Sequence, residues 1–237
     1  MTDSAAGVTP ERRAGLDPAE FMKANMRLLP VPSVPEIRLY AAHPGSGLRR
    51  LLEPDSGRRE HAAAPQPPYW AYAWAGGAVL ARYTLDWPST VAGRRVLDLG
   101  AGSGLVGIAA AKAGASEVIA AEIDRNGIVA LGLNAAANGV AITIVGEDIT
   151  AGPPPAVDLV LAGDVFYGKA VARRVVPFLE RCLAAGIEVL VGDPGRAWLP
   201  RRRLRLLGEY LVPDVGGNGA SAPTPSGVFA FVAADAD

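Results

Sequence analysis

From Arg94 onward, short apolar runs alternate with longer segments that repeat apolar residues at helical spacing. The short runs predict seven strands: Arg95–Leu99, Glu117–Ala121, Ile142–Val145, Asp158–Ala162, Glu188–Val191, Tyr210–Val212 and Val228–Val232. The longer segments predict four helices: Leu105–Ala113, Arg125–Asn138, Lys169–Ala184 and Leu199–Leu207. Because the early strands are almost continuously apolar, the pattern indicates a mostly parallel α/β sheet with helices on both faces.

The two ends of the chain depart from this alternation. A Gly/Pro/Ser/Asn-rich stretch, Pro213–Gly227, precedes the last strand and predicts an antiparallel hairpin at the sheet edge. Before the sheet, the pattern predicts a helix capped by Asp17 and ended by Pro30, a stiff connector over Pro30–Pro35, a strand over Glu36–Ala42 and a loop over His43–Pro68. We therefore expect an N-terminal extension and loop over residues 1–68 and the α/β domain over residues 69–237.

Charge and composition exclude several classes of protein. The formal net charge is -1, from 23 Lys+Arg and 24 Asp+Glu, so no global positive field attracts a nucleic acid. Cys182 is the single cysteine, and with His43 and His61 as the only histidines no structural metal site is predicted. No apolar run reaches the ~20 residues that a membrane helix needs, and the acidic start lacks a signal-peptide core. The sequence therefore predicts a cytoplasmic protein without nucleic-acid or membrane partners.

A glycine loop follows the first strand of the domain, in Asp98-Leu-Gly100-Ala-Gly102-Ser-Gly104. With Gly107, and with Glu122 18 residues beyond Gly104, it also satisfies the dinucleotide-binding pattern. Asp98 separates the two interpretations, because its carboxylate would repel a pyrophosphate. The same charge suits S-adenosylmethionine, which carries a sulfonium and an ammonium and no phosphate.

These residues resemble motif I and the following acidic motif of the class I, seven-β-strand methyltransferases that depend on S-adenosylmethionine. The resemblance implies a Rossmann-like methyltransferase sheet in which Gly100, Gly102 and Gly104 contact the methionine moiety. It further implies that Glu122 binds the ribose hydroxyls and that Asp148 lies near the adenine amino group. Glu122 is also an acceptor-only side chain at a strand end, although Asp124 is a rival for its role.

The chain has only fifteen aromatic residues, and four of them fall within six positions. They are Tyr69, Trp70, Tyr72 and Trp74. A helix would place Trp70 and Trp74 on one face, where they form either a hydrophobic stripe or an aromatic wall beside Gly76-Gly77 that a ligand can approach. We expect Trp70 or Trp74 to line one pocket with Tyr167, and we assign both tryptophans to the cofactor site.

The fourth strand of the domain ends in Asp164-Val-Phe166-Tyr167. Together with Tyr69–Gly77 and the tract Val191–Arg196, this segment resembles the lysine methyltransferases that modify the β subunit of electron transfer flavoprotein. The resemblance extends from about Phe21 to Val232 and implies an enzyme that methylates lysine side chains of that subunit.

The chemistry of lysine methylation suggests roles for this segment. Asp164 is expected to hold the incoming amine by a hydrogen bond, and Phe166 and Tyr167 to flank the alkylammonium. Three alternatives remain open at this stage: methylation of another protein such as a ribosomal one, methylation of a small-molecule amine, and a non-catalytic module that binds the cofactor and a partner.

Overall fold

The computed structural model describes residues 16–52, 67–214 and 222–233. The strands in this part are β1 (Arg27–Val31), β2 (Val34–Ala41), β3 (Arg95–Leu99), β4 (Glu117–Ala121), β5 (Thr143–Val145), β6 (Leu159–Gly163), β7 (Glu188–Asp193), β8 (Leu204–Val212) and β9 (Thr224–Phe231). The α-helices are α1 (Pro18–Asn25), α2 (Arg49–Leu52), α3 (Ala75–Asp86), α4 (Leu105–Lys112), α5 (Arg125–Ala137) and α6 (Lys169–Ala184). Short 3-10 helices cover Tyr69–Ala71, Pro88–Thr90, Ile149–Ala151 and Arg201–Arg203.

Seven strands form one sheet in the order β5-β4-β3-β6-β7-β9-β8. The first five in this order are parallel, whereas β9 runs antiparallel to both β7 and β8. This arrangement confirms the predicted mostly parallel sheet with an antiparallel terminal hairpin. The chain leaves β3 toward β4 and later returns to β6 on the other side, so the strand order reverses between β3 and β6. Open α/β sheets bind ligands at the carboxyl ends of the strands beside such a reversal.

Helices bury both faces of the sheet. On one face α3 and α4 cover the central strands, and Leu80 and Ile108 are fully buried there with Ile37 of the β1–β2 hairpin. On the other face α6 packs Phe178 and Leu179 against the apolar side of β6, β7 and β9. Both faces of the central strands are therefore buried from solvent, which explains why these strands are continuously apolar. No helix in the described part of the chain is long and apolar enough to cross a membrane.

The predicted helix over Leu199–Leu207 is wrong. Only Arg201–Arg203 forms a 3-10 turn, and β8 begins at Leu204 and runs antiparallel to β9, pairing Leu204 with Phe231 and Val212 with Thr224. Leucine and arginine favour a helix locally, but pairing with β9 satisfies a row of backbone groups that would otherwise lie unpaired. Tertiary pairing therefore overrides the local propensity.

The N-terminal prediction also needs correction. The first helix ends at Asn25, and the predicted stiff connector belongs to a hairpin in which β1 pairs antiparallel with β2. Pro30 is tolerated because β1 is an edge strand with an irregular register at this point. The predicted strand over Glu36–Ala42 is present as β2, whereas much of the predicted loop, including His61, lies outside the described residues.

Candidate active site

A cavity of about 330 Å³ opens at the carboxyl ends of the parallel strands. Nine of the residues assigned to the site from the sequence line it: Trp70, Trp74, Asp98, Gly100, Gly102, Glu122, Asp148, Asp164 and Tyr167. They come from five separate segments of the chain. The strand order therefore brings the glycine loop and the aromatic segments to one place.

The glycine loop turns sharply between β3 and α4. Gly100, Gly102 and Gly104 all have positive φ, at 67°, 53° and 82°, which other residues rarely adopt. Gly104 is the residue before α4, and a Cβ on it would lie 3.0 Å from Leu131 Cγ. Gly104 is therefore needed for the turn and for helix packing, but it does not line the cavity as the resemblance implied.

Asp98 is almost completely buried at the base of the cavity. Its Oδ2 accepts a hydrogen bond of 2.8 Å from the backbone N–H of Gly107, one turn into α4. Burial raises the pKa of Asp98 to about 7, which outweighs the opposing effect of the Gly107 N–H. A cation at this position would stabilise the ionised carboxylate, so Asp98 favours a positively charged ligand group.

Glu122 connects the end of β4 to the glycine loop. Its Oε2 accepts from the Gly102 N–H at 2.7 Å and its Oε1 from the Asp124 N–H at 2.7 Å, while burial raises its pKa. Asp124 also borders the cavity, but its Oδ1 caps α5 by accepting from the N–H groups of Asn126 and Gly127. The geometry favours Glu122 over Asp124 as the acceptor for a ligand hydroxyl.

Asp148 also borders the cavity, at the start of the 3-10 turn after β5. It accepts hydrogen bonds from the backbone N–H and the hydroxyl of Thr150 and forms an ion pair of 3.1 Å with Arg174. The Thr150 hydroxyl is the main reason that the pKa of Asp148 is lowered, despite partial burial. Asp148 therefore presents an ionised carboxylate beside the cavity.

The aromatic residues cluster at the mouth of the cavity. The ring of Tyr69 lies 5.7 Å from that of Trp74 and 5.3 Å from that of Tyr167, and Tyr72 lies 5.9 Å from Trp74. The prediction that Trp70 and Trp74 share a helix face is wrong, because Trp70 lies in a 3-10 turn and Trp74 is the N-cap of α3. The backbone is extended at Tyr72 and at Trp74, so the 3-10 turn and α3 are separate elements.

Trp70 differs from the other aromatic residues of the segment in its burial. It is 2% exposed and packs against Met22 and Ala130, yet it also borders the cavity next to the glycine loop. Its Nε1 is buried and has no hydrogen-bond partner in the described structure. A buried donor without a partner is unfavourable, and an acceptor atom of a ligand would satisfy it.

Gly76 and Gly77 allow close packing rather than leaving open backbone for a ligand. A Cβ on Gly76 would lie 2.4 Å from the Gly192 carbonyl oxygen, and a Cβ on Gly163 would lie 2.8 Å from Gly77 Cα. These four glycines bring the start of α3 against the ends of β6 and β7. The interpretation of Gly76-Gly77 as a ligand surface is therefore corrected, although Gly77 still borders the cavity.

Asp164 occupies a constrained position after β6. It is the only non-glycine residue with positive φ in the described chain, at 57°, and its side chain is buried. Its Oδ2 accepts from the Gly76 N–H at 2.9 Å, so a residue distant in sequence caps the N-terminus of α3.

The two aromatic residues that follow Asp164 lie in different environments. Tyr167 is 51% exposed at the cavity, whereas Phe166 is fully buried in the core beneath α6. The predicted role of Phe166 in flanking a substrate is therefore corrected to core packing.

Arg196 borders the cavity but received no role from the sequence. It forms a two-pronged ion pair with Asp164, with Nε–Oδ1 at 2.8 Å and Nη2–Oδ2 at 3.0 Å, and its guanidinium lies 5.9 Å from the centre of the Trp74 ring. The available signal was Asp193-Pro-Gly195-Arg196, a turn sequence directly after a strand that ends at the ligand edge.

The chemistry of the cavity fits S-adenosylmethionine. Its two arginines, Arg174 and Arg196, are paired with Asp148 and Asp164, which leaves little positive charge for phosphates. Buried carboxylates beside the glycine loop instead match an ammonium, a sulfonium and ribose hydroxyls. The family and fold described next imply a cofactor of this type.

Known proteins resemble this chain in sequence and fold. The family model of the ribosomal protein L11 methyltransferases (PrmA) matches residues 83–163. A solved structure from Pyrococcus horikoshii, provisionally assigned as an RNA methyltransferase, has a TM-score of 0.54 at 16% identity and covers 72% of this chain and 89% of its own. These matches confirm the predicted methyltransferase fold.

Longer matches come from the electron transfer flavoprotein beta subunit lysine methyltransferases. The protein of that name from Xenopus laevis is 35% identical over 233 residues, which cover 94% of this chain and 91% of the relative. The one from Danio rerio is 42% identical over 153 residues, which cover 62% of this chain but only 59% of the relative, less than two thirds of its length. The predicted family is thereby confirmed, and this chain belongs to the electron transfer flavoprotein beta subunit lysine methyltransferases.

Proposed function

We propose that this enzyme transfers methyl groups from S-adenosylmethionine to lysine side chains of the electron transfer flavoprotein β subunit. One observation carries the proposal: a single cavity is lined at one end by the glycine loop with Asp98 and Glu122, and at the other by Asp164 with exposed aromatic rings. The substrate is supported by the names of the relatives from frog and zebrafish.

The inner end of the cavity has the groups needed to hold the cofactor, which supplies a methyl group activated on a sulfonium. Asp98 would hold the methionine end of the cofactor through its ammonium, and the unpartnered Trp70 N–H would be available to its carboxylate. Glu122 would accept hydrogen bonds from the ribose hydroxyls, and Asp148 would accept from the adenine amino group. These contacts use the electrostatic preference of the site for a cation without phosphates.

The outer end is suited to an alkylamine. Methyl transfer is an in-line displacement that needs the lone pair of a neutral amine, held in line and away from water. Tyr69, Trp74 and Tyr167 present aromatic faces and edges that favour a lysine stem and its cationic methylated product. Asp164 accepts a hydrogen bond from the amine and thereby orients it.

The direct test measures the intact mass of both flavoprotein subunits after reaction with S-adenosylmethionine. We expect the β subunit to gain whole methyl groups with the wild-type enzyme and none with Asp164→Ala, while calorimetry gives both proteins similar cofactor affinity. Asp86→Ala, which removes an exposed carboxylate on α3 outside the cavity, should keep both properties.

Four outcomes would contradict parts of the proposal. Methyl groups appearing only on ribosomal proteins or on small amines would reject the flavoprotein as substrate. Turnover that persists in Asp164→Ala would reject the assigned role of Asp164, and a wild type without turnover on any of these acceptors would favour a binding module. Binding of NAD in place of S-adenosylmethionine would reject the cofactor.

A further inference from the structure

Arg196 is held rigidly in the loop after β7. Asp193, the last residue of that strand, accepts hydrogen bonds at its Oδ1 from the N–H groups of Gly195 at 2.6 Å and Arg196 at 2.7 Å. This closed turn sets the direction of the Arg196 side chain. The guanidinium then bridges Asp164 after β6 and Asp214 after β8, with an Nη1–Oδ2 distance of 3.0 Å to Asp214.

The hydrogen bonds to the Asp164 carboxylate leave only part of its acceptor positions free. An ionised carboxylate offers about four acceptor positions, two on each oxygen. Asp164 Oδ2 already accepts from the Gly76 N–H and from Arg196 Nη2, and Oδ1 accepts from Arg196 Nε. One position, on Oδ1, remains for a ligand. A neutral amine needs a single acceptor to orient one N–H, whereas an ammonium requires partners for three.

We infer that Arg196 is a positioning residue that restricts Asp164 to one acceptor position and selects the neutral form of the substrate amine. This inference rests on the proposed lysine methylation. An unpaired Asp164 would form an ion pair with the lysine ammonium, which has no lone pair and cannot accept a methyl group. With Arg196 in place, the charge of Asp164 is already matched, and the guanidinium disfavours a second cation nearby.

Several other charged groups contribute to the field at this end of the cavity. Those that face Arg196 or its loop are Asp164 after β6, Asp193 at the end of β7, Asp214 after β8 and Arg201 of the 3-10 turn, whose Nη2 donates to the Gly195 carbonyl. The remaining titratable groups around the cavity are Tyr69, Tyr72, Asp98, Glu122, Asp124, Glu147, Asp148, Tyr167 and Arg174. Removal of Arg196 takes a positive charge from beside Asp164, so it makes the field at the amine more negative than in the wild type and raises the pKa of a bound amine.

The test compares two variants. Arg196→Gln keeps a hydrogen-bond donor and removes the charge, whereas Arg196→Lys keeps the charge and loses the two-pronged contact with Asp164. Initial rates of methylation of electron transfer flavoprotein are measured from about pH 7 to about pH 10, a range below the ordinary lysine pKa of about 10.4. Burial raises the pKa of Asp193 to about 6 in the wild type, which is below this range. Arg202→Gln, at an exposed position in the next turn, is the matched control for loss of a positive charge.

We expect Arg196→Gln to shift the acidic limb of the pH profile of kcat by about one unit toward higher pH. At pH 7.5 this shift corresponds to about a tenfold loss of kcat, and the KM for the protein substrate should be unchanged or lower. Arg196→Lys, which keeps the charge but frees an acceptor position on Asp164, should displace the limb less than Arg196→Gln does, and Arg202→Gln should match the wild type. Calorimetry with S-adenosylmethionine should give similar affinities for all four proteins.

Other outcomes would overturn the inference. An equal loss of kcat at every pH in Arg196→Gln, or a limb displaced at least as far in Arg196→Lys, assigns Arg196 no role in selecting the neutral amine. If Arg196→Gln fails to fold in a thermal melt, Arg196→Met, which also removes the charge, replaces it in the comparison. A wild type that leaves the flavoprotein unmodified rejects the proposed function and the role of Arg196 with it, whereas an active wild type with an undisplaced Arg196→Gln profile rejects only the latter.

Discussion

Burial sets the charge state of the carboxylates around the cavity. Asp98 has its pKa raised to about 7 chiefly by loss of contact with water, and Glu122 is raised for the same reason. Asp148, on the more open wall, is lowered by its hydrogen bonds with Thr150. Ionisation of the two carboxylates nearest the glycine loop is therefore unfavourable in the ligand-free protein, and a cationic ligand would offset this cost on binding.

Asp98→Asn should separate stability from binding. The pKa of Asp98 is near 3.8 in the unfolded chain and about 7 in the fold, so its contribution to stability is fully present below pH 3.8 and is lost as the pH rises through 7. The neutral asparagine escapes this loss. We expect it to raise the free energy of unfolding of the ligand-free protein at pH 8 by on the order of 2 kcal/mol, and by less at pH 5.

The same substitution should weaken S-adenosylmethionine binding, because the ammonium loses its counter-charge. Denaturant unfolding at the two pH values and calorimetry at pH 8 measure the two effects. In the wild type, cofactor affinity should also rise as the pH increases through about 7, while Asp98→Asn should show no such rise. Equal destabilisation of the variant at both pH values would contradict this account of Asp98.

At the scale of elements, the position of α3 depends on glycine. The start of this helix approaches β6 and β7 so closely that a Cβ on Gly76 would lie 2.4 Å from the Gly192 oxygen and 2.6 Å from the Asp164 nitrogen. Both neighbours are backbone atoms, which cannot rotate away. The contact places Gly76 N–H on Asp164 and the Trp74 ring beside Arg196, so packing of the helix also arranges the site.

Gly76→Ala should therefore destabilise the protein by about 3 kcal/mol or more, since overpacking against backbone forces α3 away from the sheet. Gly132→Ala is the matched control, because Gly132 also lies within a helix and a Cβ there would meet only Ile144 Cδ1 at 3.9 Å. That substitution should stabilise by about 0.5 to 1 kcal/mol. Thermal and denaturant unfolding measure both, and similar effects at the two glycines would contradict the packing argument.

At the scale of the whole molecule, the β1–β2 hairpin is joined to the glycine loop through α5. The fully buried Asn134 accepts at Oδ1 from the Tyr40 N–H at 2.8 Å and donates from Nδ2 to the Ser103 carbonyl at 2.8 Å. Ser103 lies within the glycine loop, and Tyr40 lies on β2. The N-terminal hairpin therefore supports the cofactor end of the cavity and shares the core under α3 and α4.

Asn134→Ala should lower both stability and cofactor affinity, because it removes the partners of the half-buried Tyr40 N–H and the buried Ser103 carbonyl, at up to about 1 to 3 kcal/mol for each. Asn138→Ala breaks bonds between α5 and Arg38 of the hairpin but none to the glycine loop. It should lower stability less and leave affinity unchanged. Unfolding and calorimetry test the pair, and a normal affinity in Asn134→Ala would show that the hairpin only stabilises the fold.

Local patterns were sufficient for much of the sheet and for the glycine loop. β3, β4 and α6 have the predicted boundaries, because continuous apolar runs and a long amphipathic pattern are strong local signals. β8, the β1–β2 hairpin and the turn at Trp70 were not predicted. The strands β1 and β8 depend on pairing with a neighbouring strand, and the extended backbone at Tyr72 separates Trp70 from the helix that follows. Phe166 could not be separated from Tyr167, since neighbouring residues of a turn can point in opposite directions.

The sequence alone determined the fold class and the preference of the glycine loop for a ligand without phosphates, because both depend on residues close together in the chain. Only the tertiary structure decided which side chains share the cavity and how they are charged. The ion pair of Arg196 with Asp164 joins residues 32 positions apart, and the pKa of Asp98 depends on packing from other elements. Distance and burial are properties of the folded chain, and for that reason the ion pair of Arg196 and the burial of Phe166 emerged only from the structure.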